Sequence, residues 1–389
     1  MWMMAAALVA CAALGPGDSG AEARATESAR GAPPAAPWSY PVVRKGELVR
    51  YGKPYRAVGV NYFDCFYKTL TEPGDTGYEQ GFAELAKRGI PFVRFNCGGF
   101  WPVDWKLYRE KPEEYFALLD RVVRSAEQRR VGLVPSICWY MATFPDLVGE
   151  PMDAWGDPSS KTIAFMRRYT RELVTRYSKS PAIWGWELGN EYSLAADLPN
   201  ASEHRPPIWA NLGTAASRSK RDDLTHEMIR TACREFALEV RRHDKRRMII
   251  SGNSMPRPTA WHQKKELSWT ADTPEQYREM LIGDNPDPID TLCVHAYEPG
   301  DFDRLASSMQ ASRTSRKLLY VGEFGIQGVT PEVMATFRSQ LERVLSSGCA
   351  LASAWNFTPA GDNGFNFGVG GPRGAMLEEL AQANRRLAP

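Results

Sequence analysis

Two kinds of hydrophobic pattern alternate along this chain. Short, almost continuous apolar runs are followed by longer stretches in which apolar residues recur every three or four positions. The first pattern is typical of strands that are buried on both faces, and the second is typical of amphipathic helices that pack on a sheet. The strand-like runs are YRAVGVNYF, PFVRFNCGG, GLVPSICWY, AIWGWELGNE, RRMIISGNS, IDTLCVHAY, KLLYVGEFG and ALASAWNFT.

Helical periodicity fills the intervals between these runs. The amphipathic segments include EEYFALLDRVVRSAEQRR, TIAFMRRYTRELVTRYSKS, THEMIRTACREFALEVRRHD and EVMATFRSQLERVLSSG, and GAMLEELAQANRRL follows the eighth run. Eight repeats of strand then helix predict a (β/α)8 TIM barrel of the α/β class. We therefore expect residues 38–389 to form a single domain with long βα loops. The segment GELVRYGKPYR precedes the first run and predicts a hairpin that closes the bottom of the barrel.

The N-terminal residues have a different composition. Residues 1–11, MWMMAAALVAC, are apolar and end in LVAC, which resembles the lipobox of bacterial lipoproteins with Cys11 as the lipidated residue. They predict an export signal, and a ragged terminus without a role is the alternative. Residues 12–37 are rich in Ala, Gly, Pro and Ser and predict a tether. We expect an exported protein that is periplasmic, secreted, or a cell-surface lipoprotein anchored to the membrane through Cys11.

The composition indicates which classes of molecule the protein is expected to bind. The 48 basic and 46 acidic residues are interspersed, and the one dense basic run, RRHDKRR, is typical of the solvated end of a helix. We therefore expect no nucleic-acid partner, and we expect a monomer. Trp occurs twelve times, and several of these residues fall in predicted loops, where their rings suit stacking on sugars. The loop candidates for distant sugar platforms are Trp209, Trp261 and Trp269.

The sequence predicts no metal ion and no cofactor. It contains no C-x-x-C, H-x-x-x-H or H-E-x-x-H motif, and no glycine-rich phosphate loop that opens a helix. Six cysteines remain beyond Cys11, which permits disulfides in an exported chain. Cys65 and Cys97 follow neighbouring strands and predict a bridge, whereas Cys138 and Cys293 lie inside strands and predict buried thiols.

Polar residues gather at the ends of the predicted strands, which is where barrels of this kind place their active sites. Two of them are glutamates, Glu191 on the fourth strand and Glu323 on the seventh. Two facing carboxyl groups suit the cleavage of a glycosidic bond, because one must protonate the leaving oxygen while the other attacks the anomeric carbon. The other polar or aromatic strand ends are Arg94, Asn96, Asn190, His295, Tyr297, Trp355 and Asn356.

Several neighbouring residues have more ordinary interpretations. Glu187 lies deeper in the same strand as Glu191 and predicts a buried partner for an arginine rather than a catalyst. Trp184 and Trp186 predict packing residues. Three tryptophans at strand ends or just beyond them favour stacking on a sugar: Trp101, Trp139 and Trp355.

Taken together, these motifs resemble glycoside hydrolase family 5, which contains cellulases and mannanases. The resemblance covers residues 38–389 and rests on NE in GNEY, EFG in VGEFG, H-x-Y in VHAY, VRF on the second strand and AWNF on the eighth. Each motif alone is weak, but all five occur in the right order at the ends of the right strands. The resemblance implies a retaining β-glycosidase that needs no cofactor and acts on a β-linked glycan.

The resemblance also implies a role for each matched position. Glu191 would be the general acid/base and Glu323 the nucleophile. The substrate 2-hydroxyl would bind Asn190, and Trp355 would form the floor beneath the sugar that is attacked. The remaining implied roles belong to residues beside the two carboxyl groups: Arg94 and Tyr297 would contact Glu323, and His295 would contact the acid side of the site.

Two positions depart from the family pattern. The third strand offers Cys138, Trp139 and Tyr140 where many family cellulases have a histidine, and Tyr192 stands where proline commonly follows the acid. The catalytic pair is unaffected, but the substrate class stays open between an endo-β-1,4-mannanase-like and a cellulase-like enzyme, with the mannanase favoured. A second hypothesis is a surface lipoprotein that binds glycan on a hydrolase scaffold without cleaving it.

Overall fold

A computed structural model describes residues 38–359 and 364–388. The predicted export signal at residues 1–11, with Cys11, and the predicted tether at residues 12–37 lie outside the described residues. The contacts of the chain group Trp38–Pro389 as a compact unit. Within the described residues, no helix has both the length and the apolar character needed to cross a bilayer.

Eight parallel strands close into a barrel, which confirms the predicted (β/α)8 fold. Each strand pairs with its neighbour in sequence, and the last pairs with the first. Every residue of these strands is buried, as the continuous apolar runs predicted. The strands are β4 Ala57–Asn61, β5 Phe92–Asn96, β6 Gly132–Cys138, β7 Gly185–Gly189, β8 Met248–Ile250, β9 Thr291–Ala296, β10 Leu318–Phe324 and β11 Leu351–Ala354.

Three short strands precede the barrel and form a small antiparallel sheet, β1 Val42–Arg44, β2 Glu47–Arg50 and β3 Lys53–Pro54. Leu48 of β2 packs in one cluster with Phe92, Trp184 and Met248, which lie at or near the starts of barrel strands. The small sheet therefore covers the N-terminal end of the barrel, as predicted for a hairpin in this segment. The predicted packing role of Trp184 is also confirmed, because this side chain is fully buried and stacks on Phe92 at 5.3 Å.

Helices surround the barrel, and each predicted amphipathic segment forms one. The apolar faces of these five helices join the barrel strands in a continuous core. The helices are α1 Tyr67–Thr71, α2 Gly77–Lys87, α3 Lys106–Glu110, α4 Pro112–Arg129, α5 Thr143–Val148, α6 Lys161–Tyr177, α7 His226–His243, α8 Ala260–Glu266, α9 Pro274–Gly283, α10 Pro299–Ser315, α11 Pro331–Ser347 and α12 Ala375–Leu387.

The predicted bridge between Cys65 and Cys97 is wrong. Both residues are buried free thiols, as are the four other cysteines in the described part of the chain. Neighbouring strand ends bring two cysteines close in space but do not orient their Cβ atoms, and a disulfide requires both. The prediction that Cys138 and Cys293 are buried thiols is confirmed.

Candidate active site

Arg94 on β5 donates hydrogen bonds to four side chains at the C-terminal end of the barrel. Its Nε atom donates to both carboxylate oxygens of Glu187, at 2.8 and 2.9 Å. Its Nη1 atom donates to Oε1 of Glu323 at 2.6 Å and to Oδ1 of Asn61 at 3.0 Å. Its Nη2 atom donates to Oδ1 of Asn190 at 2.8 Å. The side chains of Arg94 and Glu187 are fully buried, which confirms Glu187 as the partner of an arginine.

Glu323 faces the barrel interior because β10 is irregular at Gly322. Leu319 and Val321 pack in the helix-facing core, so strict alternation would turn Glu323 toward the helices as well. The pairing with β9 instead shifts register between Val321 and Glu323, and Glu323 stands opposite His295. A β-bulge of this kind re-aims the side chain that follows it.

The Glu323 carboxylate is enclosed by hydrogen-bond donors. The Tyr297 hydroxyl donates to Oε2 at 2.6 Å, and Arg94 holds Oε1. The side chain retains 5% of its exposure. Burial raises the pKa of Glu323, while the nearby His295, the charge of Arg94 and the hydrogen bond from Tyr297 act in the opposite direction.

Glu191 follows β7 in a left-handed backbone conformation, with φ of 56°. Its N–H donates to the carbonyl of Gly252 at 2.9 Å, which fixes this unusual backbone. Gly252 must itself be glycine, because a Cβ there would lie 1.8 Å from the carbonyl oxygen of Gly189. The Glu191 side chain keeps 30% of its exposure and opens toward the cleft.

His295 connects the two carboxyl groups. Its Nδ1 atom lies 2.9 Å from Oε1 of Glu191 and 3.6 Å from Oε2 of Glu323. Burial lowers the pKa of His295 to about 4, so the ring is neutral at neutral pH. Burial raises the pKa of Glu191 to about 7, opposed by Arg94 and by a hydrogen bond with Ser254.

The two carboxyl groups therefore differ in charge. Glu323 bonds directly to a permanent cation, whereas Glu191 bonds to a neutral imidazole. One negative charge shared by the pair is more stable on Glu323, which leaves the proton on Glu191.

The distance between the carboxyl groups suits a retaining mechanism. One oxygen of Glu191 and one of Glu323 lie within 4.8 Å of each other and of a ring nitrogen of His295. Retaining glycosidases separate the pair by about 5–5.5 Å, and inverting enzymes by about 6.5–9.5 Å. Three such groups could also ligate a metal ion, but the guanidinium of Arg94 already bonds to Glu323, so a cation here would face a fixed positive charge.

Aromatic rings form one wall of the site. The Trp139 ring covers the guanidinium of Arg94, with 4.4 Å between the ring centroid and Cζ. Trp355 lies 5.8 Å from Trp139 between ring centroids, and Phe63 contacts both rings. Trp355 is partly exposed, whereas Trp139 is buried.

The wall continues outward along the loops. Phe100 lies 6.1 Å from Phe63 and 4.9 Å from Trp101, again between ring centroids. Trp101 in turn contacts Trp209 at 4.9 Å. Trp209 is 43% exposed, whereas Trp269 is 59% exposed on a separate loop and Trp261 donates a hydrogen bond to Glu279. Among the described residues, a continuous path of ring contacts therefore leads from Trp355 to Trp209.

The structure brings most of the predicted residues together. Six lie around the two carboxyl groups or line the adjoining wall directly, and Trp101 lies farther along that wall. The sequence interpretation missed Asn61, Ser254 and Gly322, all of which touch the central residues. Asn61 ends the first barrel strand and could have been found by the rule used for the other strands. The six residues are Arg94, Asn190, His295, Tyr297, Trp139 and Trp355.

Comparisons with known proteins agree with this geometry at the level of fold. No protein-family model matches the chain. A mannan endo-1,4-beta-mannosidase A from Hypocrea jecorina is 26% identical over 159 residues, which cover 36% of this chain. The chain spans 21% and 35% of the length of the two curated relatives that it matches.

Solved structures align over most of the chain. An endo-1,4-beta-mannanase from Rhizomucor miehei has a TM-score of 0.66 and 14% identity, and the alignment covers 90% of this chain and 99% of that one. A glycoside hydrolase family 5 mannosidase from the same organism has a TM-score of 0.62 and 12% identity, with coverage of 90% and 98%. The fold predicted from the family resemblance is therefore confirmed.

Proposed function

We propose that this chain is a retaining β-glycoside hydrolase that cleaves a β-linked polysaccharide or oligosaccharide by double displacement. The observation that carries the proposal is the pair Glu191 and Glu323, whose oxygen atoms lie within 4.8 Å of each other in unlike environments. One carboxyl group bonds to Arg94, and the other bonds to neutral His295.

In the first step, a carboxylate oxygen of Glu323 attacks the anomeric carbon. The bond between that carbon and the glycosidic oxygen breaks, and the leaving oxygen takes the proton of Glu191. The product alcohol departs, and the sugar stays attached to Glu323 as an ester. Arg94 and Tyr297 hold the nucleophile in place before the attack.

In the second step, Glu191 acts as a base. Once Glu323 is esterified, its negative charge is gone, and ionised Glu191 can accept a proton from water. The water oxygen attacks the anomeric carbon from the face that the first leaving group occupied. The ester bond breaks, Glu323 is released as a carboxylate and Glu191 regains its proton, so the product keeps the β configuration.

Neighbouring groups hold the sugar in position. The Oδ1 atom of Asn190 accepts from Arg94, which directs its Nδ2 donors toward a substrate 2-hydroxyl. That hydrogen bond strengthens as positive charge develops at the anomeric centre. Trp355 supplies the floor under the same sugar, and the Trp139 ring packs against Trp355 with 5.8 Å between centroids.

We propose a mannanase-like substrate first and a cellulase-like substrate second. The aromatic third strand with Trp139 favours the mannanase, and the proteins to which the chain is similar include endo-1,4-beta-mannanases from two organisms. An endoglucanase from Pseudomonas stutzeri shares the fold with a TM-score of 0.54. For this reason we retain a cellulosic β-glucan as the second proposed substrate. The wall continues from Trp355 through three further aromatic rings to Trp209, so we propose a glycan chain rather than a lone disaccharide.

The test is a panel of β-mannan, cellulosic β-glucan and aryl β-glycosides, with reducing ends as the first measurement. Proton NMR of the fresh product then gives its anomeric configuration, and we expect the β anomer. Glu323→Gln is the matched inactive control. Release of the α anomer would overturn double displacement. Binding to a glycan column with no reducing ends released from any substrate would favour the non-catalytic surface binder instead.

A further inference from the structure

The Nε2 side of His295 has a sulfur neighbour that the proposed reaction does not use. The Sγ atom of Cys293, two residues earlier on β9, lies 3.8 Å from Nε2. Both side chains are buried inside the barrel, where an unpaired ring nitrogen is costly. Cys293 is therefore placed to be the hydrogen-bond partner of the ring on the side away from Glu191.

The bulge in β10 lies against both the thiol and the ring. Gly322 lies at the register shift, and its Cα is packed against Cys293 Sγ and His295 Nε2. The carbonyl of the same residue accepts from Nδ2 of Asn61 at 3.0 Å. The S–H of Cys293 can donate a hydrogen bond, and Nε2 of His295 lies within reach of it as an acceptor.

The other side of the ring fits the same arrangement. Nδ1 faces Glu191 at 2.9 Å and Glu323 at 3.6 Å, and both the carbonyl oxygen of protonated Glu191 and the carboxylate of Glu323 are acceptors. A neutral imidazole has one N–H, so a proton on Nδ1 leaves a lone pair on Nε2. Burial raises the pKa of the Cys293 thiol well above its usual range, which keeps the S–H proton in place.

Space for this contact depends on glycine. A Cβ at position 322 would lie 2.9 Å from Sγ of Cys293 and 2.9 Å from Nε2 of His295. Real Cβ atoms do not approach so closely, and both neighbours are held in the barrel interior. Gly322 therefore gives the imidazole and the thiol the room in which they meet.

We propose that Cys293 is a positioning residue that fixes the tautomer of His295 by donating its S–H to Nε2, so that Nδ1–H donates to Glu191. The hydrogen bonds then run in one direction, from S–H of Cys293 to Nε2 and from Nδ1–H to Oε1 of Glu191. The Nδ1–H bond stabilises the carboxylate that Glu191 becomes when it releases its proton. The kinetic consequence rests on the proposed function, whereas the tautomer itself does not.

The first measurement is nitrogen NMR of protein labelled in histidine, with the His295 signals identified by their loss in His295→Gln. At pH 7 we expect a proton on Nδ1 and a hydrogen-bonded, unprotonated Nε2. Cys293→Ser should keep this pattern, because a hydroxyl also donates and accepts. In Cys293→Ala, the Nε2 signal should move to that of a free acceptor or of a protonated nitrogen. A wild-type ring with its proton on Nε2 would overturn the proposal, whatever the activity.

The second measurement is kinetic and uses Cys233→Ala as the matched control, since Cys233 is a buried thiol in α7 away from the site. On a glycan with a poor leaving group, Cys293→Ala should lower kcat about tenfold with little change in KM, and Cys293→Ser should stay within about twofold of wild type. Equal losses in Cys293→Ala and Cys233→Ala would mean that the thiol acts through packing alone. An inactive wild type with the expected NMR pattern would overturn the proposed function and leave the tautomer assignment standing.

Discussion

The Nη1 atom of Arg94 lies 2.6 Å from Oε1 of Glu323, and the arginine that makes this contact is fully buried. A buried guanidinium is tolerated when carboxylates and amides occupy its donors, and here Glu187 binds the opposite edge. The position of Glu323 therefore depends on a second carboxylate that does not reach the cleft.

The first prediction concerns that second carboxylate. Glu187→Gln should reduce the free energy of unfolding by about 3 kcal/mol or more, because it leaves Arg94 short of a buried counter-charge. Urea denaturation measures this change. Asp120→Asn is the matched control, since Asp120 pairs with Arg176 near the surface and its loss should cost about 1 kcal/mol or less. Similar losses in both variants would contradict the buried network.

The second prediction separates the two glutamates by role. Glu191→Ala should slow cleavage of poor leaving groups most, retain a burst on an activated aryl glycoside and be rescued by azide as a β-glycosyl azide. Glu323→Ala should lose turnover on both kinds of substrate, because no carboxylate remains to form the ester. An α-glycosyl azide from the Glu191 variant, or near-normal turnover by the Glu323 variant, would show that the roles are wrongly assigned.

The third prediction is the pH dependence of kcat/KM. Burial raises the pKa of Glu191 to about 7, and the protonated form is the one that donates to the leaving group. Activity should therefore be retained below pH 7 and fall by tenfold per pH unit well above it. The Glu191→Ala variant should lose this alkaline limb on an activated aryl glycoside. If kcat/KM of the variant still falls at alkaline pH as it does in the wild type, the titration of another group causes that fall.

The fourth prediction tests the aromatic wall. Trp209→Ala should raise KM on a long glycan several-fold and leave a short aryl glycoside unaffected, because Trp209 lies at the far end of the ring contacts. Trp269→Ala is the matched control, since Trp269 is more exposed but lies outside the wall. If both variants behave alike on both substrates, the wall does not carry a distant sugar site.

The fifth prediction concerns the N-terminal segment, which lies outside the described residues. If LVAC is a lipobox, processing should be sensitive to globomycin, and the protein should be recovered in the membrane fraction. Cys11→Ser should abolish both properties. Recovery of that variant in the same membrane fraction would exclude a lipid anchor on Cys11.

Much of the fold could be predicted from the sequence, because the information was local. A run such as GWELG is buried on both faces, so its apolar continuity indicates a parallel strand without knowledge of its neighbours. The helices follow equally from their own periodicity. Active sites of such barrels lie at the C-terminal ends of the strands, so placing the strands also placed Glu191 and Glu323 at the same end of the barrel.

The sequence by itself thus determined the barrel, the pair of glutamates and the buried partner of an arginine. The tertiary structure alone decided how those groups face one another. Strict alternation would point Glu323 toward the helices with Val321, and only the bulge at Gly322, formed by pairing with β9, turns it inward. The left-handed backbone of Glu191 likewise depends on the carbonyl of Gly252, 61 residues away. The direction in which a side chain points, and the residues that it contacts, depend on pairing between segments that are distant in sequence. A local pattern of apolar residues contains no information about that pairing.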